Sequence, residues 1–477
     1  MDATAHPRCR WLALIVLCLG ELMIVLDSTI VNVALPSIRA DLGFSETSLV
    51  WVVNAYMLTF GGCLLLGGRL GDLYGHRRMF LAGLAFFTAA SLACGLAPSQ
   101  GVLVAARAIQ GLGGAVVSAV ALSLIMNLFT ETQERTRAMG VYGFVCAGGG
   151  SLGVLLGGLL TSVGWHWIFL VNLPIGVAVY LASRALLPDS GTAGSGERLD
   201  VAGAATVTLS LMLAVYGVVD GNEAGWGSVQ TLGLLGAAAL LMALFLAIES
   251  RSAHPLVPLA LFRLRNISMS NICAVLWSAG MFAWFFMSAL YLQQVLGYTP
   301  MQVGLAFLPA NLVMAALSLG WSAKLVMRFG IRAPLAVGLL LAAAGLLLFA
   351  RAPLDGGFWL EVLPGMLLLG LGAGVAFNPM LMAAMHDVSP ADAGLASGLV
   401  NTSFMLGGAL GLAVLASLAA ARTGELAAGG ANALAALHGG YQWAFGAGAL
   451  FAVIAAVLGA TALRADLKAG AEPLATH

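Results

Sequence analysis

The chain has 477 residues, of which 60% are hydrophobic and only 9% charged, and its net charge at pH 7 is zero. A soluble protein of this length needs far more charged surface, and the balanced charge leaves no basic surface for nucleic acid. With a mean hydropathy of +0.97, the chain is expected to be an integral membrane protein surrounded by a lipid bilayer. The six cysteines show no metal-ligand or disulfide spacing, so no metal and no cofactor is expected.

Fourteen apolar segments are long enough to be membrane-spanning helices, which need about 20 apolar residues each. The first continues to Leu35, well beyond the apolar core of a cleaved signal peptide, and is therefore interpreted as a retained span. We predict an all-α integral membrane protein with 14 transmembrane helices. In chain order the predicted spans are 11–35, 49–68, 79–97, 102–128, 138–162, 166–187, 200–220, 228–249, 268–292, 303–325, 333–350, 358–380, 395–420 and 441–463.

The basic residues predict the orientation of these spans. If the N-terminus is cytoplasmic and the spans alternate, only three of the 21 Lys and Arg residues lie in outer loops: Arg39, Arg351 and Arg422. Arg107 falls within a span, and all the others lie on the cytoplasmic side. Because basic loop residues concentrate on that side of a membrane, both termini are predicted to be cytoplasmic.

The second half of the chain contains weak echoes of the first, at an offset of roughly 254–259 residues. The similar pairs are 41–52 with 295–307, 67–78 with 321–333, and 110–116 with 369–375. A nearly constant offset indicates a duplicated six-helix unit with two further helices inserted between the copies. The predicted organisation is a six-helix bundle at 1–187, a linker with two inserted helices at 188–250, and a second six-helix bundle at 251–477.

The segment "GELMIVLDSTIVNVALP" (20–36) places two carboxylates in the first predicted span. An acid in apolar surroundings can hold a proton and ionise when water or a cation arrives, so Asp27 is a candidate for proton coupling. The alternative is a carboxyl bonded to neighbouring helices that only stabilises packing. At the matching offset Asp27 corresponds to Met281, and charge chemistry is therefore expected in the first half.

Glu21 lies about 120° from Asp27 around the helix, in line with Ser28 and Asn32. This polar stripe suits a water-filled cavity, and we predict that Glu21 binds a proton or a cation. If the span begins later, Glu21 instead extends to the interface. Arg107 needs a carboxylate, carbonyl groups or water nearby, unless it is anchored at the interface.

Several motifs in the expected order resemble those of the major facilitator superfamily, in particular its fourteen-span drug:proton antiporter branch of the multidrug efflux type. The segment "GRLGDLYGHR" (68–77) resembles the family's loop motif between the second and third spans. Gly68, Asp72, Gly75 and Arg77 match, whereas His76 replaces a basic residue. The resemblance implies a charge clasp that gates the cytoplasmic side, and the alternative is an ordinary tight turn.

Other motifs extend the resemblance over the whole chain. The segment "RAIQGLGGA" (107–115) resembles the fourth-span motif, which assigns Arg107 to proton coupling. The fifth-span antiporter motif is matched by "GGSLGVLLGG" (149–158) at Gly149, Gly153, Gly157 and Gly158, with Val154 in place of a proline. These glycines also suit close helix packing without a transport role. The sequence also resembles signatures of the fourteen-span branch in three segments, 26–36, 165–176 and 397–411.

The resemblance implies a major facilitator fold and a proton-coupled secondary transporter that exports small amphipathic or cationic compounds by alternating access. The expected setting is the inner membrane of a bacterium, with the chain active as a monomer. We assign Asn32, Met281, Trp284 and Asn401 to the substrate cavity, although "MFAWFFM" (281–287) is also typical of a helix facing lipid or core.

Other classes of function fit the sequence less well. A Walker A motif and an H-E-x-x-H motif are both missing from the sequence, so neither ATP drive nor enzyme chemistry is expected. Transport of a specific metabolite, either into or out of the cell, is the closest alternative, because Val154 departs from the antiporter motif. A membrane sensor that binds a ligand without moving it is a further alternative.

Overall fold

The computed structural model describes residues 7–187, 200–252, 255–386, 388 and 393–463, and the regular structure within them is helical. Most of the predicted linker, at 188–199, lies outside the described residues. The helices are α1 (Pro7–Leu42), α2 (Trp51–Tyr74), α3 (His76–Gly95), α4 (Gln100–Leu128), α5 (Thr132–Val163), α6 (Trp167–Leu170), α7 (Asn172–Leu186), α8 (Val201–Ala224), α9 (Val229–Arg251), α10 (Arg265–Leu290), α11 (Pro300–Ala316), α12 (Ser322–Phe329), α13 (Arg332–Arg351), α14 (Leu363–Met385), α15 (Ala393–Ala428) and α16 (Ala433–Ala462).

Each predicted span coincides with helix, and the sixth is divided at Val171 into α6 and α7. Within the described residues, twelve helices are long and apolar enough to cross a membrane. The other two predicted spans fall on α5 and α11, whose described apolar stretches, Gly148–Val163 and Pro300–Ala316, are shorter. A helix satisfies its own backbone hydrogen bonds, which is what a chain surrounded by hydrocarbon requires. The protein is therefore a multi-pass helical membrane protein with twelve candidate spans.

The helices pack in two groups joined by two seams. In the first half, α2 and α3 pack on α4, and α1 packs on α5 and α7. In the second half, α10 packs on α15 and α16, and α13 packs on α14 and α16. The seams are formed by α2 with α15 and by α5 with α11. Helices α8 and α9 pack on each other, and α8 lies against α2 and α15.

Two turns recur at equivalent positions in the two halves. Gly43, after α1, and Gly297, before α11, both have a φ of 71°. Gly75, between α2 and α3, has a φ of 91°, and Gly330, between α12 and α13, has a φ of 76°. Because positive φ angles favour glycine, the sequence echo at these positions reflects the same backbone geometry used twice.

The ends of α5 show how far that helix extends. Near its start, Glu134 forms an ion pair with Arg10 at 3.0 Å. Just beyond its end, Trp165 Nε1 donates a hydrogen bond to Asp41 at 2.8 Å. Since Arg10 and Asp41 lie at opposite ends of α1, α5 runs alongside nearly the full length of α1.

Candidate functional site

A buried ion pair occupies the middle of the first group of helices. Arg107 Nη1 on α4 lies 2.5 Å from Asp27 Oδ2 on α1. The relative exposure of Arg107 is 1% and that of Asp27 is 0%. The only ionisable residue that the sequence places within the fourth span thus has a carboxylate partner from the first span.

Three neutral side chains complete this polar cluster. Gln110 Nε2 on α4 and Asn172 Nδ2 on α7 both donate to Asp27 Oδ1, at 2.7 and 3.0 Å. Gln110 also accepts a hydrogen bond from Arg107 at 2.6 Å and donates one to Ser91 Oγ on α3 at 2.8 Å. Asp27 therefore accepts three hydrogen bonds from two other helices, and the cluster joins α1, α3, α4 and α7.

The guanidinium group of Arg107 has further contacts that hold it in place. Its Nε donates to the carbonyl oxygen of Val52 on α2 at 2.9 Å. Its Cζ lies 4.5 Å from the ring centroid of Tyr56 and 5.6 Å from that of Phe169, distances at which cation–π attraction acts. A buried cation is tolerated only when it is paired and hydrogen-bonded, and these contacts meet that requirement.

Close packing of α4 brings these groups together. A Cβ at Gly111 would overlap Thr59 Oγ1 on α2, and a Cβ at Gly113 would lie 2.7 Å from the backbone nitrogen of Phe87 on α3. Since a methyl group does not fit at either position, the glycines of "QGLGG" set the short distance between α4 and its neighbours. That distance allows Arg107 to reach the backbone of α2.

Two polar atoms beside the ion pair have no hydrogen-bond partner among the described residues. They are the hydroxyl group of Tyr56 and Oδ1 of Asn172, and both are buried. Each residue already contacts one member of the pair, Tyr56 through its ring and Asn172 through its amide nitrogen. The cluster thus retains hydrogen-bonding capacity beyond the bonds formed in this conformation.

Glu21 lies in a different environment from Asp27. Its relative exposure is 6%, its Oε1 accepts a hydrogen bond from Ser118 Oγ on α4 at 3.0 Å, and Tyr142 on α5 is a second side-chain neighbour. Its contacts therefore differ from those of Asp27, whose charge is balanced by Arg107. Both of these Glu21 contacts are hydroxyl groups, which leave its negative charge uncompensated when it is ionised.

The asparagines assigned to a substrate cavity bond to their own helices. Asn32 Nδ2 lies 3.4 Å from the carbonyl oxygen of Ser28, and Asn401 Nδ2 lies 3.2 Å from that of Ser397. Asn32 is nearly buried, whereas Asn401 is half-buried. Their role in substrate binding remains a prediction.

The two α10 residues assigned to the cavity differ in burial. Met281 is half-buried, whereas Trp284 is 2% exposed. The indole ring of Trp284 packs against Phe285 and Phe307, with centroid distances of 4.4 and 5.6 Å. Its N–H group is buried without a hydrogen-bond partner among the described residues. This aromatic group is part of the core of the second half, and its role in substrate binding also remains a prediction.

The turn between α2 and α3 contains the residues assigned to gating. Asp72 Oδ1 lies 3.2 Å from His76 Nε2, and the Asp72 side chain is 54% exposed. Arg77 Nη2 donates to the carbonyl oxygen of Arg184, in the last turn of α7, at 2.6 Å. The histidine that departs from the family motif therefore lies in direct contact with the acid, and Arg77 connects the turn to α7.

The glycines of this turn have different roles. Gly75 ends α2 with its positive φ angle and starts α3, so its residue type is required by the backbone. A Cβ at Gly68 would meet nothing within 4 Å. In this conformation Gly68 is not required by packing, and its assignment to gating remains a prediction.

The four glycines of the antiporter motif lie at two helix contacts. Cβ atoms at Gly149 and Gly157 would lie 2.9 Å from atoms of α1, and one at Gly153 would overlap Thr29 of the same helix. A Cβ at Gly158 would lie 2.8 Å from the carbonyl oxygen of Pro300 at the start of α11. Three motif glycines therefore allow α5 to approach the helix that carries Asp27, and the fourth lies on a seam between the halves.

A polar connection between the two halves was not predicted from the sequence. Arg39 Nη1 lies 3.1 Å from Glu46 Oε1 and 3.5 Å from Oε1 of Gln294, which follows α10. The hydroxyl group of Tyr441 on α16 donates to the same Gln294 oxygen at 3.1 Å. All four residues lie on the side that the topology predicts to be outside, and they tie the halves together there.

Sequence reasoning assigned no role to three members of the buried cluster. Gln110 and Asn172 lie within the segments 107–115 and 165–176, which resemble family motifs. The position of Gln110 one turn after Arg107 was a usable signal. Ser91 had no such signal, because a single serine in an apolar helix usually bonds to its own backbone. It does so here as well, through the carbonyl oxygen of Phe87 at 2.9 Å.

The fold and the buried ion pair define a multi-pass membrane protein with ionisable groups inside its helical bundle, as in transporters that move ions or solutes. The sequence matches the Major Facilitator Superfamily over residues 17–412, and the chain belongs to this family of transporters.

Named relatives and solved structures agree with this assignment. The chain is 41% identical over 420 residues to the puromycin resistance protein pur8 of Streptomyces alboniger, covering 87% of this chain and 83% of the relative. It is 40% identical over 431 residues to the cephamycin export protein CmcT of Amycolatopsis lactamdurans, covering 90% and 88%. A bacterial homologue of the human lysosomal transporter Spinster, in an inward-facing and occupied conformation, has a TM-score of 0.68 at 17% identity. The match covers 95% of this chain and 97% of the Spinster homologue's chain. At this sequence identity it shows a similar fold only.

Proposed function

We propose that this protein is a proton-coupled secondary transporter that exports small amphipathic or cationic compounds by alternating access. The observation that carries the proposal is the fully buried Asp27–Arg107 pair within the first half. The relatives named for puromycin resistance and cephamycin export support the substrate class.

In the proposed coupling, Asp27 is the proton carrier. Protonation of Asp27 would remove the carboxylate that balances Arg107 and leave a buried cation with neutral partners. An uncompensated buried charge is costly, by about 3–5 kcal/mol where one partner of a pair is removed. The protonated state therefore favours a conformation in which Arg107 gains water or another anion, which couples proton binding to movement of α1 against α4.

We further propose fourteen spans with both termini in the cytoplasm of a bacterial cell, in its inner membrane, and a monomer as the active unit. The length of α5 alongside α1 supports the fifth span, because a helix that follows α1 from Arg10 to Asp41 crosses the same layer. For the tenth span, α11 continues through a π-helical turn at Leu317–Trp321 into α12, which ends at Phe329. That path is long enough to span a bilayer.

In this arrangement 1–187 and 251–477 are the moving halves, and 188–250 contributes the inserted helices. The hydrogen bonds of Gln294 to Arg39 and Tyr441 would hold the halves together at the proposed outer end in this conformation. Opening outward would break those bonds, and Asp72, His76 and Arg77 would restrain the cytoplasmic end. Small residues on the seams, such as Gly158 against α11, allow the halves to approach closely.

Glu21 is proposed as a separate binding group for a proton or a cationic compound. Asp27 is already neutralised by Arg107, whereas the hydroxyl groups of Ser118 and Tyr142 leave the charge of Glu21 uncompensated. A cationic substrate that binds beside Glu21 can supply the compensating positive charge.

The test is transport in proteoliposomes loaded with puromycin or ethidium. Acidifying the external medium is expected to accelerate efflux, since protons enter as the compound leaves. Protein-free vesicles give the background rate. An efflux rate that is the same with and without the pH gradient would refute proton coupling. Pumping of one metabolite but not of the drugs would favour the alternative function, a specific metabolite transporter, to which Val154 in the antiporter motif also points.

A further inference from the structure

A cavity of about 530 Å³ lies outside the buried polar cluster, between the inserted helices α8 and α9 and helices α2, α10 and α15. This volume is typical of sites that hold small molecules, at about 300–1,000 Å³. Thr402 and Ser403 are the polar residues in its wall, and Ser403 Oγ already donates to Asn271 Oδ1 at 2.6 Å. The other wall residues are aliphatic or aromatic side chains, one methionine and glycine. An uncharged wall of this kind selects an apolar occupant.

In a bilayer the cavity would open sideways, toward the hydrocarbon. Leu246 on α9 and Val275 on α10 are part of its wall, yet they remain 46% and 37% exposed. On the same helix as Leu246, Leu240 is 73% exposed, which is typical of a helix that faces lipid. An occupant can therefore enter directly from the membrane.

The segment between α9 and α10 lines the cavity, and three arginines lie at or beside the two ends of this segment. Phe262 belongs to the wall, Arg263 follows it directly, and Arg265 begins α10. Arg251 ends α9, the helix that forms the opposite wall. All three arginines are exposed, and basic groups beside gaps between membrane helices attract anionic lipid headgroups.

We propose that this cavity binds an anionic glycerophospholipid, with one acyl chain between α9 and α15 and the phosphate beside Arg251, Arg263 and Arg265. Under the proposed topology these arginines face the cytoplasm, so the lipid comes from the inner leaflet. The wall includes Leu65 of α2 from the first half and Leu406 of α15 from the second. Because both halves form the site, the lipid binds one arrangement of the halves better than another and shifts their populations.

Native mass spectrometry of the purified full-length protein tests the lipid site without measuring transport. The protein in detergent is supplied with equal amounts of phosphatidylglycerol and phosphatidylcholine, and retained lipid is counted. We expect one phosphatidylglycerol to be retained in preference to phosphatidylcholine. Retention of neither lipid, or equal retention of both, would overturn the proposal whatever the transport assay shows.

A cavity-filling substitution locates the acyl chain. Val207 on α8 is part of the wall, whereas Leu209, two residues further on, is 51% exposed and lies outside it. V207F is expected to lose the retained lipid, and the matched control L209F is expected to keep it. Lipid retention by V207F at the wild-type level would refute the assignment of this cavity.

A charge substitution locates the headgroup and does not depend on the tolerance of the core. R263Q/R265Q removes two exposed charges and is expected to reduce the preference for phosphatidylglycerol by roughly 30-fold, since each basic group near a membrane surface contributes about 1 kcal/mol. R328Q, which removes an exposed arginine on α12, is the control and should retain the preference. An unchanged preference in R263Q/R265Q would overturn the headgroup assignment, and so would an equal loss in R328Q.

Discussion

Asp27 and Arg107 lie 80 residues apart in the sequence and form an ion pair from which solvent is excluded. The pair joins α1 to α4, and Gln110 and Asn172 both donate to the same carboxylate. A charge change at Asp27 is therefore transmitted directly to two other helices.

Asp27→Asn is expected to abolish flux driven by a pH gradient while leaving a folded protein. The amide is close in shape to the carboxyl and can still accept from Gln110, but it cannot exchange a proton. The measurement is drug efflux from proteoliposomes with and without an imposed gradient, compared with protein-free vesicles. Asp41→Asn is a matched control, because Asp41 lies at the end of the same helix and bonds to Trp165. Wild-type pH-driven flux in Asp27→Asn would remove Asp27 from the mechanism.

The ion pair also predicts a specific pattern of stability. Asp27→Asn leaves a buried guanidinium without its carboxylate, and Arg107→Gln leaves a buried carboxylate without its cation, so each should lower the melting temperature in detergent. The double variant contains neither charge and should be less destabilised than the sum of the single variants. The expected coupling free energy is about 0.5–3 kcal/mol, the usual range for residues in contact. Additive losses would show that the two side chains do not stabilise each other.

The sequence predicted the two charged residues of this site but not their pairing, because hydropathy detects single charges in apolar segments. Asp27 and Arg107 stand out individually, because a charge is conspicuous in an apolar run, and the segments around them, 26–36 and 107–115, resemble family motifs. Their pairing depends on how α1 packs against α4, which no local pattern encodes. The role of Ser91 could not be predicted for the same reason, because a serine that bonds to its own helix gives no sign in the sequence of a second partner.

Local patterns likewise predicted where the spans lie, but not the irregularities within them or the contacts between them. Each falls on a helix because hydrophobicity determines where the chain can lie in a membrane. The break at Val171 and the π-helical turn at Leu317–Trp321 were not predicted, because backbone irregularities depend on neighbouring helices. The hydrogen bond between Arg39 and Gln294 joins residues 255 positions apart, and such a contact has no signature in a single sequence.

Asp72→Asn should slow turnover and leave substrate affinity within about twofold. Asp72 is more than half exposed, so its contact with His76 contributes little to stability, about 0–1 kcal/mol. Its loss would instead change the relative populations of the conformations that the turn restrains. The measurements are kcat, KM and melting temperature. Glu425→Gln, which removes an exposed acid paired with Arg422, is the control. A rise in KM with kcat unchanged would argue against gating.

Gly153→Ala should destabilise the contact between α5 and α1, by about 1–3 kcal/mol as for other overpacked cores. The added methyl would overlap Thr29 Oγ1 and lie 3.0 Å from the carbonyl oxygen of Leu26, next to Asp27. Gly150→Ala is the matched control on the same helix, because a Cβ there meets nothing within 4 Å. Melting temperature and transport rate should both fall in Gly153→Ala and stay near wild type in Gly150→Ala. Equal behaviour of the two variants would refute the close contact.

Glu21→Gln should separate cationic from neutral substrates. The amide keeps a hydrogen-bond acceptor for Ser118 but removes the uncompensated charge, so efflux of ethidium is expected to fall while efflux of a neutral amphipathic compound persists. Because Asp27 has different partners, the remaining flux should still respond to a pH gradient. Ser118→Ala, which removes the hydrogen bond and keeps the charge, should retain ethidium efflux. An equal loss for cationic and neutral compounds would show that Glu21 supports the structure or the proton step, and that the charge of the substrate is recognised elsewhere.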